Sequence, residues 1–258
     1  MDTFDLDRYQ STLRTAFIGR RLEHRESVTS TMDVARDMAS GQGAHGTVVL
    51  ADQQTAGRGR RGRSFFSPPG DNLYFTIILR MAPGGIGPLA LCVPLAVVDA
   101  VRELCPSAAI KWPNDIWIGD RKCSGMLIDA QSEGEDVVAL VGIGINVNGD
   151  PGRTPELRDI ATSLALKCGR RVDREPLLAA ILTNLEANLD AGTEAVLTPY
   201  REASNTLGRA VHVQPAAGAA FNGVAEDIDA NGALVVRRDD GALVVVDAAD
   251  VSLRLAVA

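Results

Sequence analysis

The stretch IKWPNDIWIGDRKCSGMLIDAQSEGEDVVALVGIGINVN (residues 110–148) decides the fold class. It breaks into the short apolar runs DIWIG, KCSGMLIDA and VVALVGIGINV, separated by the turn-forming groups GDR and EGED. Runs of that length joined by tight Gly/Asp turns predict consecutive antiparallel strands, because such a turn returns the chain alongside itself. Upstream, GTVVLAD (46–52) and NLYFTIILR (72–80) read as two further strands. Between them lies a long segment of glycine and arginine.

Helices are expected around these strands. Residues 29–39 (TSTMDVARDMA) begin on Ser30 and Thr31 and meet Gly41 just past their end, a start and a stop signal in the right order. Residues 6–17, 175–190 and 194–204 also read as helical, and 86–104 is apolar at helical spacing, with Pro94 inside it predicting a kink or a split. After Asn205 the chain turns to short β-runs punctuated by glycine: RAVHV, GVAEDID, GALVV, GALVVVD and VSLRL. The expected architecture is α+β: a mixed, mostly antiparallel sheet flanked by helices over 1–204, followed by a small β-barrel over 205–258.

A chain of 258 residues, 46% hydrophobic, buries one good core and a smaller satellite. No run approaches the roughly 18 apolar residues a membrane span needs. The N-terminus MDTFDLDRYQ is acidic where a secretory signal is basic and then apolar, so a cytoplasmic protein with no membrane partner is expected. Cys92, Cys105, Cys123 and Cys168 form no C-x-x-C pair and suggest neither zinc nor a disulfide framework. A formal net charge of −7 argues against broad nucleic-acid affinity, which rests on neutralising phosphates. Any anion site must be local.

One such site is visible in QQTAGRGRRGRSFFSPPGDN (53–72), where Arg58, Arg60, Arg61 and Arg63 place four cations within six positions. Gly57, Gly59 and Gly62 remove intervening side chains, so backbone N–H groups can approach an anion while guanidinium forks bind carboxylate or phosphate oxygens. A solvated basic loop has the same composition. Its position between two apolar strands favours a ligand lid on a rigid scaffold. In KWPND (111–115), Lys111, Asn114 and Asp115 surround a proline that enforces an extended or turned backbone. Two readings stay open there: a surface turn, or a carboxylate and carboxamide that hold magnesium and the phosphates it bridges. Lys122 follows the GDR turn. Gly125 in the next run, and Gly142 and Gly144 with Asn146 at the strand end, mark places where a ligand or another backbone can approach closely.

Taken together, TST (29–31), QTAGRGRRGR (54–63), KWPND (111–115), RKCSG (121–125) and GIGINV (142–147) stand in the order of the successive motifs of biotin–protein ligases, and the chain resembles that family over about residues 27–164. The resemblance implies a class II synthetase-like catalytic domain that makes biotinyl-5′-AMP from biotin and ATP, with Mg2+, and transfers biotin to a lysine of a biotin carboxyl carrier protein. By the same resemblance Ser30, Thr31 and Gln54 hydrogen-bond the ureido head. Met32, Gly57, Gly59, Gly125 and Gly142 line its slot. Arg58 and Arg60 close the loop over the carboxylate and the α-phosphate, and Arg63 faces the distal phosphates. Phe65, Lys111, Asn114, Asp115 and Asn146 fall where the family handles ATP, with Asp115 toward the metal, and the catalytic set is Arg60, Lys111 and Lys122.

Two departures stand out: Met32 where the family commonly has Asn, and Phe65 where it commonly has Trp. Fewer than 30 residues precede the Ser-Thr helix, so a ligase without a DNA-binding domain is expected, and a homodimer through a sheet edge is open. A lipoate ligase, which lacks the arginine-rich loop, and a non-catalytic binder of nucleotides or RNA are the rival readings.

Overall fold

The computed structural model describes residues 4–40, 44–215, 218–247 and 251–255. Seven strands form one sheet: β1 (Leu22–Val28), β2 (Val48–Gln54), β3 (Leu73–Met81), β4 (Ala108–Lys111), β5 (Asp115–Ile118), β6 (Arg121–Glu133) and β7 (Asp136–Ile145), in the order β1-β2-β3-β7-β6-β5-β4. Every pairing is antiparallel except β1 with β2. The expected mixed, mostly antiparallel sheet is present.

The sheet is covered on both faces. Val48, Leu50, Phe75, Ile77, Val141 and Ile143 belong to the main core, built with α3 (Ile86–Arg102) and α5 (Arg174–Ala191). The alternate residues Val49, Ile78, Val138 and Leu140 pack with Met32 and Ala35 of α2 (Thr31–Met38). Burial on both faces explains why β2 and β3 read as continuous apolar runs rather than as alternating ones. The first helix is α1 (Leu6–Thr12), the short α4 (Leu164–Cys168) follows β7, and α6 (Thr193–Ala203) follows α5.

Several expectations are corrected. The segment 86–104 is not split at Pro94; α3 runs through it. By length and composition alone Pro83–Arg102 could cross a membrane, yet 61% of its apolar window is buried, because α3 is the core helix. The sequence reading passed over β1, whose residues LEHRESV are polar because it is an edge strand with a half-exposed face. Ser30 caps α2 as expected, its Oγ accepting from Met32 N at 3.3 Å; Gly41, the expected stop, lies outside the described residues. The C-terminal strands β8 (Ala210–Pro215), β9 (Phe221–Ile228), β10 (Leu234–Arg238), β11 (Leu243–Val246) and β12 (Val251–Leu255) form a sheet in the order β11-β10-β9-β8-β12. Among the described residues no pairing joins β11 to β12 to close it into a barrel.

The helix expected over 6–17 ends early for a tertiary reason. Leu13 leaves α1 in an extended conformation, and the backbone N–H groups of Ala16, Phe17 and Ile18 donate to the Glu186 carboxylate of α5, the last two at 3.1 and 2.9 Å. Burial alone would raise the Glu186 pKa, but these bonds and Arg20 outweigh it and hold it below the ordinary value. Asp52 is depressed in the same way, with bonds to His24 and Arg174 overcoming its burial. Carboxyls lowered by folding stabilise the fold above their unfolded pKa, and the contribution is lost as pH falls through the folded value. Stability therefore declines on acidification below about pH 4.5. In Glu186→Gln the urea-unfolding free energy at pH 7 falls by about 1–3 kcal/mol and its slope with pH in the acid limb becomes shallower. An unchanged acid limb would show that Glu186 does not carry this linkage.

Candidate active site

The cleft begins where β7 stops carrying side chains. Val138 and Leu140 pack against α2, and two and four residues further on the same face presents Gly142 and Gly144. A Cβ on Gly142 would lie 3.0 Å from Met32 Sδ, and one on Gly144 would lie 2.5 Å from the Phe65 ring. Met32 and Phe65 thus occupy the space that two missing side chains leave. Between them, under the loop from 55 to 67, opens a cleft of about 180 Å³. It brings together all but two of the expected residues. Gly57 and Asn146 are not in its lining.

One end of the cleft is neutral and polar. Gln54 Oε1 accepts from Thr31 N at 2.9 Å, Thr31 Oγ1 at 3.2 Å and Ser30 Oγ at 3.5 Å, while Gln54 Nε2 donates to Ser67 Oγ at 3.0 Å. Thr31 Oγ1 also meets Thr76 Oγ1 at 2.8 Å. Ser30, Thr31, Ser67 and Thr76 are buried, so these groups can pair with a ligand only by exchanging one satisfied bond for another. Sequence reasoning missed Thr76 and Ser67. A lone threonine inside LYFTIIL was the available signal.

Gly57 acts from behind the cleft. The two limbs of the loop cross there, with Phe65 N donating to Gly57 O at 2.9 Å. A Cβ on Gly57 would stand 2.5 Å from the Phe65 carbonyl oxygen and 2.7 Å from Ser67 Oγ. Its missing side chain is what seats Phe65 and orients Gln54.

The other end is cationic. Arg58, Arg60, Arg61, Arg63, Lys111 and Lys122 line it, against the single carboxylate of Asp115. The loop crest is a 3-10 turn at Arg60–Gly62, with Arg61 in the left-handed region at φ 56° and ψ 40°. Arg58 pairs with Asp33 of α2 at 2.7 Å, and Arg60 Nη1 donates to Asn114 Oδ1 at 3.4 Å. Asn114 is fixed in turn by donating to the Met126 carbonyl. Burial, and then the neighbouring Arg61, lower the Arg60 pKa from its ordinary value, with Asp115 and Asp247 of the C-terminal segment opposing. That end is short of negative charge.

Lys122 reaches this site through a register shift. Asp115 pairs with Gly125 and Ile116 with Ser124, but Trp117 pairs with Lys122, so β6 holds one extra residue there. A regular strand would place residues 122 and 125 on opposite faces; the bulge puts both in the cleft. Lys122 Nζ lies 2.6 Å from Asp115 Oδ1, and a Cβ on Gly125 would meet that ammonium at 2.7 Å. Asn146 is turned away, its Nδ2 donating to Thr162 O at 3.0 Å. The KWPND segment is braced by the C-terminal part of the chain: Trp112 N donates to Thr206 Oγ1 at 3.0 Å and Trp112 Nε1 to Gly232 O at 2.9 Å.

The donor set does not fit a resident magnesium ion. Among the described residues no three acidic, histidine or cysteine side chains cluster as metal ligands, and Asp115 is already paired with Lys122. What the arrangement can accept is an elongated molecule with a neutral hydrogen-bonding head, a slim apolar middle over the two glycines, and an anionic end.

Two family models match the chain: the biotin/lipoate A/B protein ligase family over residues 25–148 and the biotin protein ligase C-terminal domain over 206–254. The biotin–[acetyl-CoA-carboxylase] ligase of Mycobacterium tuberculosis is 33% identical over 258 residues, covering 94% of this chain and 94% of its own length. The bifunctional ligase/repressor BirA of Bacillus subtilis is 35% identical over 237 residues, covering 89% of this chain and 73% of its own length. The structure superimposes on the biotin protein ligase from Aquifex aeolicus in complex with biotin and ATP with a TM-score of 0.77, at 28% identity, over 92% of this chain and 100% of the other.

Proposed function

The chain belongs to the biotin/lipoate A/B protein ligase family, and from that premise we propose that it is a biotin–protein ligase whose cleft joins biotin to ATP and passes the biotinyl group to a lysine of a biotin carboxyl carrier protein. The observation that carries this reading is the polarity of the cleft, neutral around Gln54 and cationic around Arg60 and Lys122. A dithiolane ring makes no use of a cluster of hydroxyl and amide groups; a cyclic urea pairs with each of them. Ser30, Thr31 and Gln54 hold the ureido head, Met32, Gly125 and Gly142 flank the bicyclic ring, and the biotin carboxylate reaches Lys122 and Arg58.

Two anions must then meet. The carboxylate oxygen attacks the α-phosphorus of ATP and pyrophosphate leaves; the cations of the loop, with Lys111 and Lys122, lower the repulsion and hold the attack in line. Arg63 and Arg61 at the loop crest face the departing pyrophosphate, and Asn114 and Asp115 orient Arg60 and Lys122. Magnesium accompanies the triphosphate as its counter-ion. In the second step the carrier's lysine amine attacks the acyl carbon and AMP departs with the anhydride oxygen. Until then the loop shields a water-labile anhydride.

Exchange of labelled pyrophosphate into ATP tests the first step without any carrier. Label enters ATP in the presence of biotin and stays at background with lipoate. Exchange driven by lipoate, or by neither acid, removes the ligase assignment.

A further inference from the structure

Lys111, Asp115 and Trp117 share one face of the sheet, since Ile110, Ile116 and Ile118 between them point into the core. Lys111 pairs with Asp115 across β4 and β5, so Trp117 is its diagonal neighbour, within reach of a long side chain. The contact is made: Lys111 Nζ stands 4.6 Å from the centroid of the Trp117 ring, inside cation–π range. Trp117 is not part of the cleft lining, whereas Lys111 is. The indole is a platform beneath the lysine and not a wall of the cleft.

A second observation concerns the indole nitrogen. Trp117 Nε1 is shut off from solvent and meets no acceptor among the described residues. An orphaned donor of this kind is unfavourable, and a leucine in its place would bury apolar surface without one. What the indole supplies that leucine cannot is a π face under an ammonium group. The other tryptophan, Trp112, differs: its N–H is bonded to Gly232 O, and its place is explained by that brace.

We propose that Trp117 is a positioning residue for nucleotide binding, holding the Lys111 ammonium toward the anionic end of the cleft through its ring face. The inference rests on the reading of Lys111 as a nucleotide contact. The ring face adds a restraint on a four-carbon side chain, so the cation is held toward the cleft before the phosphates arrive. The biotin end is independent of it, because Gln54 lies on β2 and Ser30 and Thr31 at the start of α2, with β6, β7 and β3 standing between β5 and β2.

The test is a double-mutant cycle on full-length protein, read as the KM for ATP in biotin-dependent pyrophosphate exchange, with the KM for biotin and the thermal midpoint measured alongside. Trp117→Leu raises the KM for ATP roughly threefold to tenfold and leaves the KM for biotin unchanged. Trp117→Phe, which keeps a ring face and removes the N–H, restores most of the loss. Lys111→Met raises the KM for ATP at least as much, and adding Trp117→Leu to it has no further effect. If Lys111→Met leaves the KM for ATP unchanged, the nucleotide role of Lys111 fails and the inference with it. If Lys111→Met acts but Trp117→Leu does not, or if the two effects multiply, Lys111 stands and the positioning role of Trp117 is refuted. A loss in Trp117→Phe equal to that in Trp117→Leu also refutes it, since the N–H rather than the ring would then be the active element.

Discussion

Arg60→Ala releases the acyl-adenylate roughly tenfold to a hundredfold faster than the unmodified protein and slows both half-reactions, while its unfolding midpoint barely moves. Arg60 stands on a glycine-rich loop, where a cation is ordinarily exposed. The structure instead half-buries it in the cleft, bonded to Asn114 Oδ1 and crowded by Arg61 and Arg63. A guanidinium held among like charges loses more from burial than it gains from its neighbours, so deleting it removes repulsion and leaves the fold intact. Only an anion at the site reverses that balance. Loss therefore appears in ligand retention rather than in stability, measured by gel-filtration trapping of labelled adenylate. Full retention in the variant would falsify the lid role of Arg60.

Lys122→Met lowers the rate of adenylate formation by about 10²–10³-fold in single-turnover measurements, a magnitude typical for deleting one preorganised donor at a site of developing charge. The fold tolerates the change, because the Lys122–Asp115 pair is part-exposed, at 35% and 21% for the two side chains, and such pairs contribute little. Lys122→Arg recovers only part of the rate. The ammonium sits where a Cβ of Gly125 would be, at 2.7 Å, a space that fits a compact charge and not a planar fork. A rate in Lys122→Met within threefold of the parent removes it from the catalytic set.

The fold was largely legible where local pattern and burial agree. The tight turns after Ile118 and Glu133 carry Gly119 at φ 65° and Gly134 at φ 66°, and glycine at such positions is readable in the sequence. What was not legible lies where distant groups override the local pattern. Residues 13–18 carry no signal that they will be taken from a helix by Glu186, some 170 positions away. Nor does the polar string of β1 announce a strand, because none of its residues is fully buried and it has no apolar period to show.

The same division runs through the site. The residue types were determined by the sequence alone: a glycine-spaced arginine loop, a Ser-Thr cap, KWPND, and glycines in an apolar strand, each a local requirement of backbone conformation or charge. Their assembly was decided only by tertiary structure. A single extra residue in β6 turns Lys122 into the cleft, Asn146 is drawn aside by Thr162, Gly57 works from outside the lining, and Thr76 completes the hydrogen bonds of Thr31 from another strand. Register and side-chain satisfaction depend on partners far away in the chain, and so they emerge only once the sheet has closed around them.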